Sequence, residues 1–381
     1  MAEIKNTTGR TARTIAMKGG GYYSQRTRGA KDVIDNASGM LVEAAGAIDP
    51  PDPGRPIVLA DFGAADGGTS ENAIRRCIEQ IRARFPDNQI QVSYTDLPSN
   101  DFSALFKNLL GVGPQTANTY LTDIEDVFVS ACGIGFHRQL LPDVSLDIGF
   151  SATAMHYISE KPCPIENHVH MVGASGETLA AYAEQARQNW TDLLLARANE
   201  LRPGGRLVML NFGIDEEGRY LGNTGGINMF DTFADIWRQM RDAGVISETE
   251  FVNTSFPQYY RTVEEFCAPF TDNDSPGYQA GLRLVSAKTG VVGCPYRRAF
   301  DEAGSAMSAR EFAESYVPTL RSWSEAVFLS GLDETRPMEE RHQIVDTVYH
   351  RYKDRVASDP SGHAMDYVHC YLAVKKTADQ P

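Results

Sequence analysis

The chain has 381 residues, a length that predicts one large domain or two smaller ones. Apolar residues make up 42% and charged residues 23%, which excludes collagen-like, fibrous and disordered classes. The net charge of −14 disfavours general binding to nucleic acid. The sequence shows neither a run of 18 apolar residues nor an apolar leader, so we expect a cytoplasmic protein without membrane contact.

The N-terminal segment, residues 1–40, differs from the rest of the chain in charge. It carries seven basic residues and three acidic ones, although the chain as a whole is acidic. This local excess is consistent with contact to an anion and equally with a partly flexible, solvated arm. We predict that residues 1–40 form an arm or lid over an active site.

The six cysteines lie at positions 77, 132, 163, 267, 294 and 370, and no CxxC pair occurs. This spacing suits neither a zinc site nor a disulfide framework. We therefore expect reduced, mostly buried thiols and no bound metal ion.

The first half of the chain alternates short apolar runs with helical patterns. Residues 57–62 (IVLADF) suit a strand that is buried on both faces. A helix is predicted over 69–85, where apolar side chains recur on one face, and a longer helix over 177–201. Further strands are predicted at 90–94, 127–131, 146–150 and 206–212. Strands that alternate with helices predict an α/β fold with a parallel, doubly wound sheet.

Beyond about residue 222 the pattern changes to helices. They are predicted at 228–244, 261–268, 309–330 and 338–357. A final strand over 363–376 is expected to return to the sheet. We therefore predict an α/β core from residues 41–222 and 363–381, and a mainly helical cap from residues 223–362 that forms a substrate pocket.

The loop after the first strand, DFGAADGG at 61–68, indicates a nucleotide-like ligand. Glycines permit close backbone approach, and the following helix offers unpaired N–H groups. The loop lacks the GxGxxG pattern of dinucleotide sites. Because the carboxylate of Asp66 would repel a diphosphate, S-adenosylmethionine, a cation without phosphate, fits better. Asp96 is placed to accept both ribose hydroxyls, and Asp61 suits either a ligand contact or a partner for loop N–H groups.

Eight segments, in order along almost the whole chain, resemble the SABATH family of S-adenosylmethionine-dependent methyltransferases. The family includes the salicylate, benzoate and jasmonate carboxyl methyltransferases, and YTDLPSNDFSALF at 94–106 is the most specific match. The other matching segments are MKGGGYY (17–23), LADFGAADG (59–67), GIGFHRQLLP (133–142), FSATAMHYISEKP (150–162), LRPGGRLVM (201–209), FPQYYRTVEEF (256–266) and SYVPTLRSWSEAVFL (315–329). The resemblance implies a Rossmann-like class I methyltransferase sheet, S-adenosylmethionine as cofactor and a homodimer.

The resemblance also implies a set of cofactor contacts. Asp96 would hold the ribose, and Leu97 and Phe136 would enclose the adenine. Gly135 stands where the family has Ser, so only its backbone remains for that contact. The full set of implied cofactor residues is Tyr23, Thr27, Asp61, Gly63, Ala64, Asp66, Asp96, Leu97, Gly135 and Phe136.

The implied substrate site departs from the family at two positions. The carboxylate-binding Gln of the family falls at Ala30, so Arg28 or Lys31 is a candidate replacement, and the family Trp falls at Tyr157. Tyr157 and His156 are the predicted catalytic residues. The pocket wall implied by the resemblance adds Thr153, Met229, Phe230, Phe312, Ser315 and Met365.

Several of these residues also have a purely structural interpretation. His156 suits a core histidine, and Met229 with Phe230 suits ordinary packing. His168 and His170 suit a solvated loop or, with a third ligand, a metal site.

The resemblance implies methyl transfer from S-adenosylmethionine to a small aromatic or apolar carboxylic acid, which gives a methyl ester. The transfer is an in-line SN2 displacement. A carboxylate is already ionised at pH 7, so no general base is needed. Two alternatives remain open at this point. One is an N- or phenolic O-methyltransferase of the same fold, and the other is a non-catalytic sensor of the cofactor or of a small acid.

Overall fold

The computed structural model describes residues 28–112 and 118–377, and within them an eight-stranded sheet forms the centre. The strands are β1 (Ile57–Phe62), β2 (Ile90–Asp96), β3 (Val127–Gly133), β4 (Leu146–Ala152), β5 (Leu201–Ile214), β6 (Arg261–Thr262), β7 (Leu282–Val292) and β8 (Tyr367–Lys376). The helices before β6 are α1 (Arg28–Ala47), α2 (Glu71–Arg84), α3 (Phe102–Leu109), α4 (Tyr120–Asp123), α5 (Gly176–Glu200), α6 (Met229–Asp242) and α7 (Glu248–Asn253). The later helices are α8 (Val263–Thr271), α9 (Pro276–Gln279), α10 (Pro295–Ala303), α11 (Ala309–Gly331) and α12 (Met338–Ser358).

The strand order confirms the predicted α/β class. The order is β3-β2-β1-β4-β5-β8-β7, with β6 paired to β5 off this path. The strands from β1 to β5 pair in parallel, whereas β8 runs antiparallel to both β5 and β7. The chain order reverses between β1 and β4, and in open α/β sheets a ligand binds at such a switch point.

The two faces of β1 show why the sheet is doubly wound. All six residues of β1 are buried. Ile57 and Leu59 belong to an apolar core that includes residues of α1 and α2. Val58 and Phe62 belong to a second core that includes residues of α5 and α8. A continuous apolar run is required because helices cover both faces.

Helix α1 corrects the expectation for the N-terminal segment. It runs from residue 28 to residue 47, across the predicted boundary at residue 40. Ala30, Val33, Ile34, Ala37 and Leu41 are buried and follow the spacing of one helix face. From residue 28 onward this segment therefore packs in the core and is not a solvated arm.

Two further differences concern strands. The prediction missed β7, an edge strand that pairs only with β8 among the described strands, because its sequence LRLVSAKTGVV alternates weakly. Strand β5 begins at Leu201 and includes the Pro203-Gly204-Gly205 turn signal, where the register against β4 shifts. The last strand begins at Tyr367 and not at residue 363.

The helices predicted after residue 222 form, although the one predicted from residue 261 begins at Val263, and α6, α11 and α12 share one apolar cluster. Phe233 and Trp237 of α6 contact Phe328 of α11, with ring centroids 5.4 Å and 5.1 Å apart, and Tyr352 of α12 packs on Phe233 at 5.0 Å. None of the helices in the described part of the chain is long and apolar enough to cross a membrane.

Candidate active site

A cavity of about 1480 Å³ opens at the carboxyl ends of β1, β2 and β4. It extends past Tyr157 to residues 330–334 at the end of α11. Nine of the residues predicted from the sequence line it together: Ala30, Gly63, Ala64, Asp96, Leu97, Gly135, Phe136, Thr153 and Tyr157.

At Gly63, in the loop that follows β1, the backbone has no room for a side chain. Its φ is +82°, and a Cβ built there would lie 2.5 Å from the Cβ of Ala154 and 3.8 Å from the Phe136 ring. A side chain at this position is therefore excluded both by conformation and by space. The glycine allows the backbone to form one wall of the cavity.

Asp96 is fixed by two backbone donors at the end of β2. Its Oδ2 accepts from Ala65 N at 2.7 Å, and its Oδ1 accepts from Leu97 N at 2.7 Å. Burial raises the pKa of Asp96, and the two backbone bonds oppose that rise. Each carboxylate oxygen keeps a lone pair for a further donor, so the group suits a pair of ligand hydroxyls.

Asp61 and Asp66 do not line this cavity. The Asp61 carboxylate accepts from the Ser70 hydroxyl at 2.6 Å, so its partner is a side chain at the start of α2 and not the loop N–H groups. Burial raises the pKa of Asp61 to about 7. Asp66 is buried and accepts from Gly68 N at 3.2 Å. Both carboxylates therefore accept hydrogen bonds from residues between the loop and the start of α2.

A buried ion pair on α5 holds the loop that carries Gly135 and Phe136. The side chains of Arg197 and Glu200 are fully buried, and Arg197 Nη2 lies 2.6 Å from Glu200 Oε1. Arg197 donates to the Phe136 carbonyl at 2.9 Å, and Glu200 accepts from Leu140 N at 2.5 Å. The pair thus connects α5 to the loop after β3 and fixes the position of the Phe136 ring.

Thr153 and Tyr157 lie in the segment that follows β4. Thr153 has a φ of +57°, an unusual conformation for a β-branched residue, and its hydroxyl lies 3.1 Å from His369 Nε2. The backbone beyond it is anchored by the bonds from Ile158 N to Pro257 O and from Tyr259 N to His156 O. These bonds direct the Tyr157 side chain to the cavity.

These features fit S-adenosylmethionine. The cradle at Gly63 admits close approach, Asp96 offers acceptors for ribose hydroxyls, and Leu97 and Phe136 provide apolar contact for a purine. A Cβ built at Gly135 would lie 3.5 Å from Leu97 Cδ2, so the loop after β3 approaches the end of β2 closely at this point.

Comparison with known proteins agrees with this geometry. A family model described as SAM dependent carboxyl methyltransferase matches residues 12–377. The chain belongs to this family. Its cofactor is therefore S-adenosylmethionine.

Similar proteins come from plants and fungi. Loganic acid O-methyltransferase of Catharanthus roseus is 25% identical over 280 residues, which cover 68% of this chain and 72% of that protein. O-methyltransferase acrG of Aspergillus aculeatus is 25% identical over 95% of this chain and 96% of its own length. A solved loganic acid methyltransferase with SAH has a TM-score of 0.75 at 21% identity and covers 96% of this chain and 99% of its own. That likeness shows a shared fold.

Several residues predicted for the substrate site of this methyltransferase do not line the cavity. His156, Met229, Phe230, Phe312 and Met365 are at most 2% exposed and pack within the core. For His156, Met229 and Phe230 the structure thus agrees with the packing interpretation.

Two other candidates make local bonds. The Ser315 hydroxyl donates to the Phe312 carbonyl at 2.8 Å. Lys31 is half exposed and pairs with Asp35 at 2.6 Å, away from the cavity wall. Tyr23, Thr27 and the side chain of Arg28 lie outside the described part of the chain.

Several residues near the cavity were not predicted from the sequence, and three of them stand close to predicted site residues. Ile34 and His137 line it, and Gln258 packs beside Tyr157. Burial lowers the pKa of His137 to about 4, so this imidazole is neutral at pH 7. His137 directly follows Phe136 and Gln258 lies inside the FPQYY segment, so both stood within motifs already singled out.

The NHVH segment, residues 167–170, also differs from the prediction of a solvated loop. His168 and His170 are buried, and His170 stacks on the Phe230 ring with centroids 3.8 Å apart. They do not lie in a solvated loop. Within residues 28–112 and 118–377, no group of three His, Cys, Asp or Glu side chains could hold a metal ion.

Proposed function

We propose that this methyltransferase acts on the carboxylate of a small aromatic or apolar acid and forms its methyl ester. The observation that carries the proposal is the single cavity that joins the Gly63–Asp96 cradle to the Tyr157 side chain. The cofactor and the acid can therefore bind in one cavity. Holding two reactants next to each other can lower the activation barrier by about 7–11 kcal/mol.

We assign the cofactor to the residues around β1 and β2. Asp96 would accept the ribose hydroxyls, Leu97 and Phe136 would enclose the adenine, and the backbone at Gly63 would contact the cofactor closely. When bound, S-adenosylmethionine supplies an electrophilic methyl group on a sulfonium centre.

Tyr157 is the proposed partner of the acid. Its phenol O–H can donate to one carboxylate oxygen and leave the other free for attack on the methyl group. A carboxylate with a pKa near 4 is ionised at pH 7, so no residue has to remove a proton. This matches a site in which His156 is buried away from the cavity.

The cavity wall favours an apolar body for the acid. Ala30 and Ile34 of α1 line it beside Thr153 and Ile158. Ala30 stands where the family has its carboxylate-binding Gln, so this wall offers methyl groups and no amide donor. We therefore propose recognition of the acid group at Tyr157, with hydrophobic contact along the wall formed by α1.

The homodimer and the cytoplasmic location stay predictions. The first rests on the family resemblance, and light scattering on the purified protein would test it. We likewise propose that residues 223–362 serve as a cap over the acid; residues 1–27 of the predicted lid lie outside the described part of the chain.

The proposal is tested by incubating the protein with methyl-labelled S-adenosylmethionine and a panel of acids, phenols and N-heterocycles. Products are measured before and after mild alkali. We expect label in a product formed from an acid, and we expect alkali to release it, because methyl esters hydrolyse. Alkali-stable label on a phenol or a ring nitrogen would contradict the proposal. Binding of S-adenosylhomocysteine without label in any product would favour a sensor.

A further inference from the structure

Gln258 is a buried amide that lies directly against Tyr157. The two residues form an isolated antiparallel bridge, so their side chains are cross-strand neighbours. Gln258 is 2% exposed, whereas Tyr157 lines the cavity. An amide beside a phenol can either donate to its oxygen or accept its proton, and the two cases have opposite consequences for a ligand.

The structure decides between them through His170. Val172 N donates to His170 Nδ1 at 3.3 Å, so Nδ1 carries no proton. Burial lowers the pKa of His170 well below its usual range, so the ring is neutral and its one proton is on Nε2. Nε2 lies 3.2 Å from Gln258 Oε1 and must donate to it. The amide oxygen is thus assigned by the bonding pattern itself.

Tyr260 gives the amide a second fixed bond. Its hydroxyl also donates to Gln258 Oε1, at 3.2 Å. With Oε1 engaged by two donors, the amide NH₂ group remains for Tyr157. Burial raises the pKa of Tyr157 to about 12, and the Gln258 side chain opposes that rise, as an amide donor to the phenol oxygen does.

We propose that Gln258 is a positioning residue whose amide N–H donates to the Tyr157 hydroxyl oxygen and so directs the phenol proton at the substrate. The hydrogen bonds then form a chain in which each group donates to the next: Val172 N–H to His170, His170 to Gln258, and Gln258 to Tyr157. At Tyr157 the site therefore presents a proton to its ligand. It selects a carboxylate, which only accepts hydrogen bonds, over phenols and amines, which need an acceptor.

This inference rests on the proposed function, and paired variants test it. Gln258→Met removes the amide donor at similar length. We expect kcat/KM for the acid to fall roughly 10- to 100-fold, because the phenol is then no longer held in the orientation that donates to the charged carboxylate. The affinity for S-adenosylhomocysteine should not change. Gln188→Met, an exposed position on α5, is the matched control and should keep full activity.

Gln258→Glu reverses the polarity and keeps the acceptor for His170 and Tyr260. Its free oxygen would accept the phenol proton and turn it from the substrate, so we expect a larger loss than with Gln258→Met. This second variant keeps the test decisive where thermal unfolding shows that Gln258→Met does not fold.

The double variant with Tyr157→Phe distinguishes positioning from a structural role. Without the phenol, Gln258→Met should lower kcat/KM no further, because the amide acts only through Tyr157. An equal fold-loss in the wild-type and Tyr157→Phe backgrounds would overturn the proposal. Absence of methyl ester from every acid tried with the wild type would overturn the proposed function, and this inference with it.

Discussion

At the scale of single residues, Gly63, Tyr157 and Asp61 act in three different ways. Gly63 leaves space that a side chain would fill, since a Cβ there would stand 2.5 Å from Ala154. Tyr157 brings a polar group to a cavity whose neighbouring wall is apolar. Asp61 is buried behind the loop and bonds Ser70. The first two residues have proposed ligand contacts, and the third bonds within the protein.

Gly63→Ala should weaken binding of S-adenosylhomocysteine roughly 10-fold or more, because overpacking costs about 1–3 kcal/mol and the added Cβ narrows the cradle. Gly218→Ala is the matched control: its φ of +74° is as unusual for alanine, but no atom lies within 4 Å of the added Cβ. It should lose about 1 kcal/mol of stability and no affinity. Calorimetric titration and thermal unfolding measure both effects. Equal loss of affinity in both variants would refute the steric argument.

Tyr157→Phe should lower kcat/KM for the acid more than it lowers affinity for the cofactor. The phenol is the proposed donor to the carboxylate, whereas cofactor contacts are assigned to the β1 and β2 ends. Steady-state kinetics and titration with S-adenosylhomocysteine separate the two quantities. If both fall by the same factor, Tyr157 does not have the role assigned to it.

Asp61→Asn should change how stability depends on pH. Burial raises the pKa of Asp61 from 3.8 to about 7, so between these values the folded protein binds more protons than the unfolded chain. The contribution of Asp61 is present below pH 4 and is lost as pH rises to 7, by at most about 1.4 kcal/mol per pH unit. Urea unfolding at pH 5, 6 and 7 should show the wild type losing stability relative to Asp61→Asn. A difference in unfolding free energy between the two proteins that stays constant from pH 5 to pH 7 would contradict the raised pKa of Asp61.

At the scale of elements, α5 governs the loop after β3 through one buried ion pair. Arg197 donates to two loop carbonyls, of Phe136 and Arg138, and its guanidinium lies 4.3 Å from the Phe62 ring centroid. Glu200 accepts from the loop N–H groups of Leu140 and Leu141. The same helix carries an exposed pair, Glu184–Arg187, at the same i,i+3 spacing.

Arg197→Met should destabilise the protein by about 3–5 kcal/mol, because it leaves Glu200 buried without a counter-charge. It should also weaken cofactor binding, since Phe136 loses its anchor. Arg187→Met, the exposed counterpart, should cost at most about 1 kcal/mol and leave binding unchanged. Chemical unfolding and titration provide the comparison. If Arg197→Met loses little stability and little cofactor affinity, other contacts hold the loop.

The elements differ in how well the sequence predicts them, for physical reasons. β1 was predictable because a strand covered on both faces must be apolar throughout. β7 was missed because an edge strand exposes much of its surface and shows little alternation. Helix α1 was missed because the basic excess of residues 1–40 was given more weight than the apolar spacing of Ala30, Val33, Ile34, Ala37 and Leu41.

The same contrast holds for the candidate site. Glycine and aspartate positions around β1 and β2 were predictable, because their chemistry is local to a loop. The wall formed by the C-terminal helices was not. The resemblance implied Met229, Phe230 and Phe312 as pocket residues, but side-chain packing decides which residues face a cavity, and these three are buried in the core.

At the scale of the whole molecule, the parallel part of the sheet places the ends of β1, β2 and β4 at one edge, where the strand order reverses. The antiparallel β8 brings His369 to the hydroxyl of Thr153. Helices α6, α11 and α12 pack as one apolar cluster. Residues from both halves of the chain, 30–164 and 247–334, line the cavity.

The central claim is that the Tyr157 hydroxyl receives the carboxylate of an acid held next to the cofactor. A crystal structure with S-adenosylhomocysteine and the acid found by the labelling assay tests it most directly. We expect a carboxylate oxygen about 2.5–3.0 Å from the Tyr157 hydroxyl, and the ribose hydroxyls on Asp96. A carboxylate bound elsewhere, with the Tyr157 hydroxyl directed away from it, would show that Tyr157 does not bind the acid.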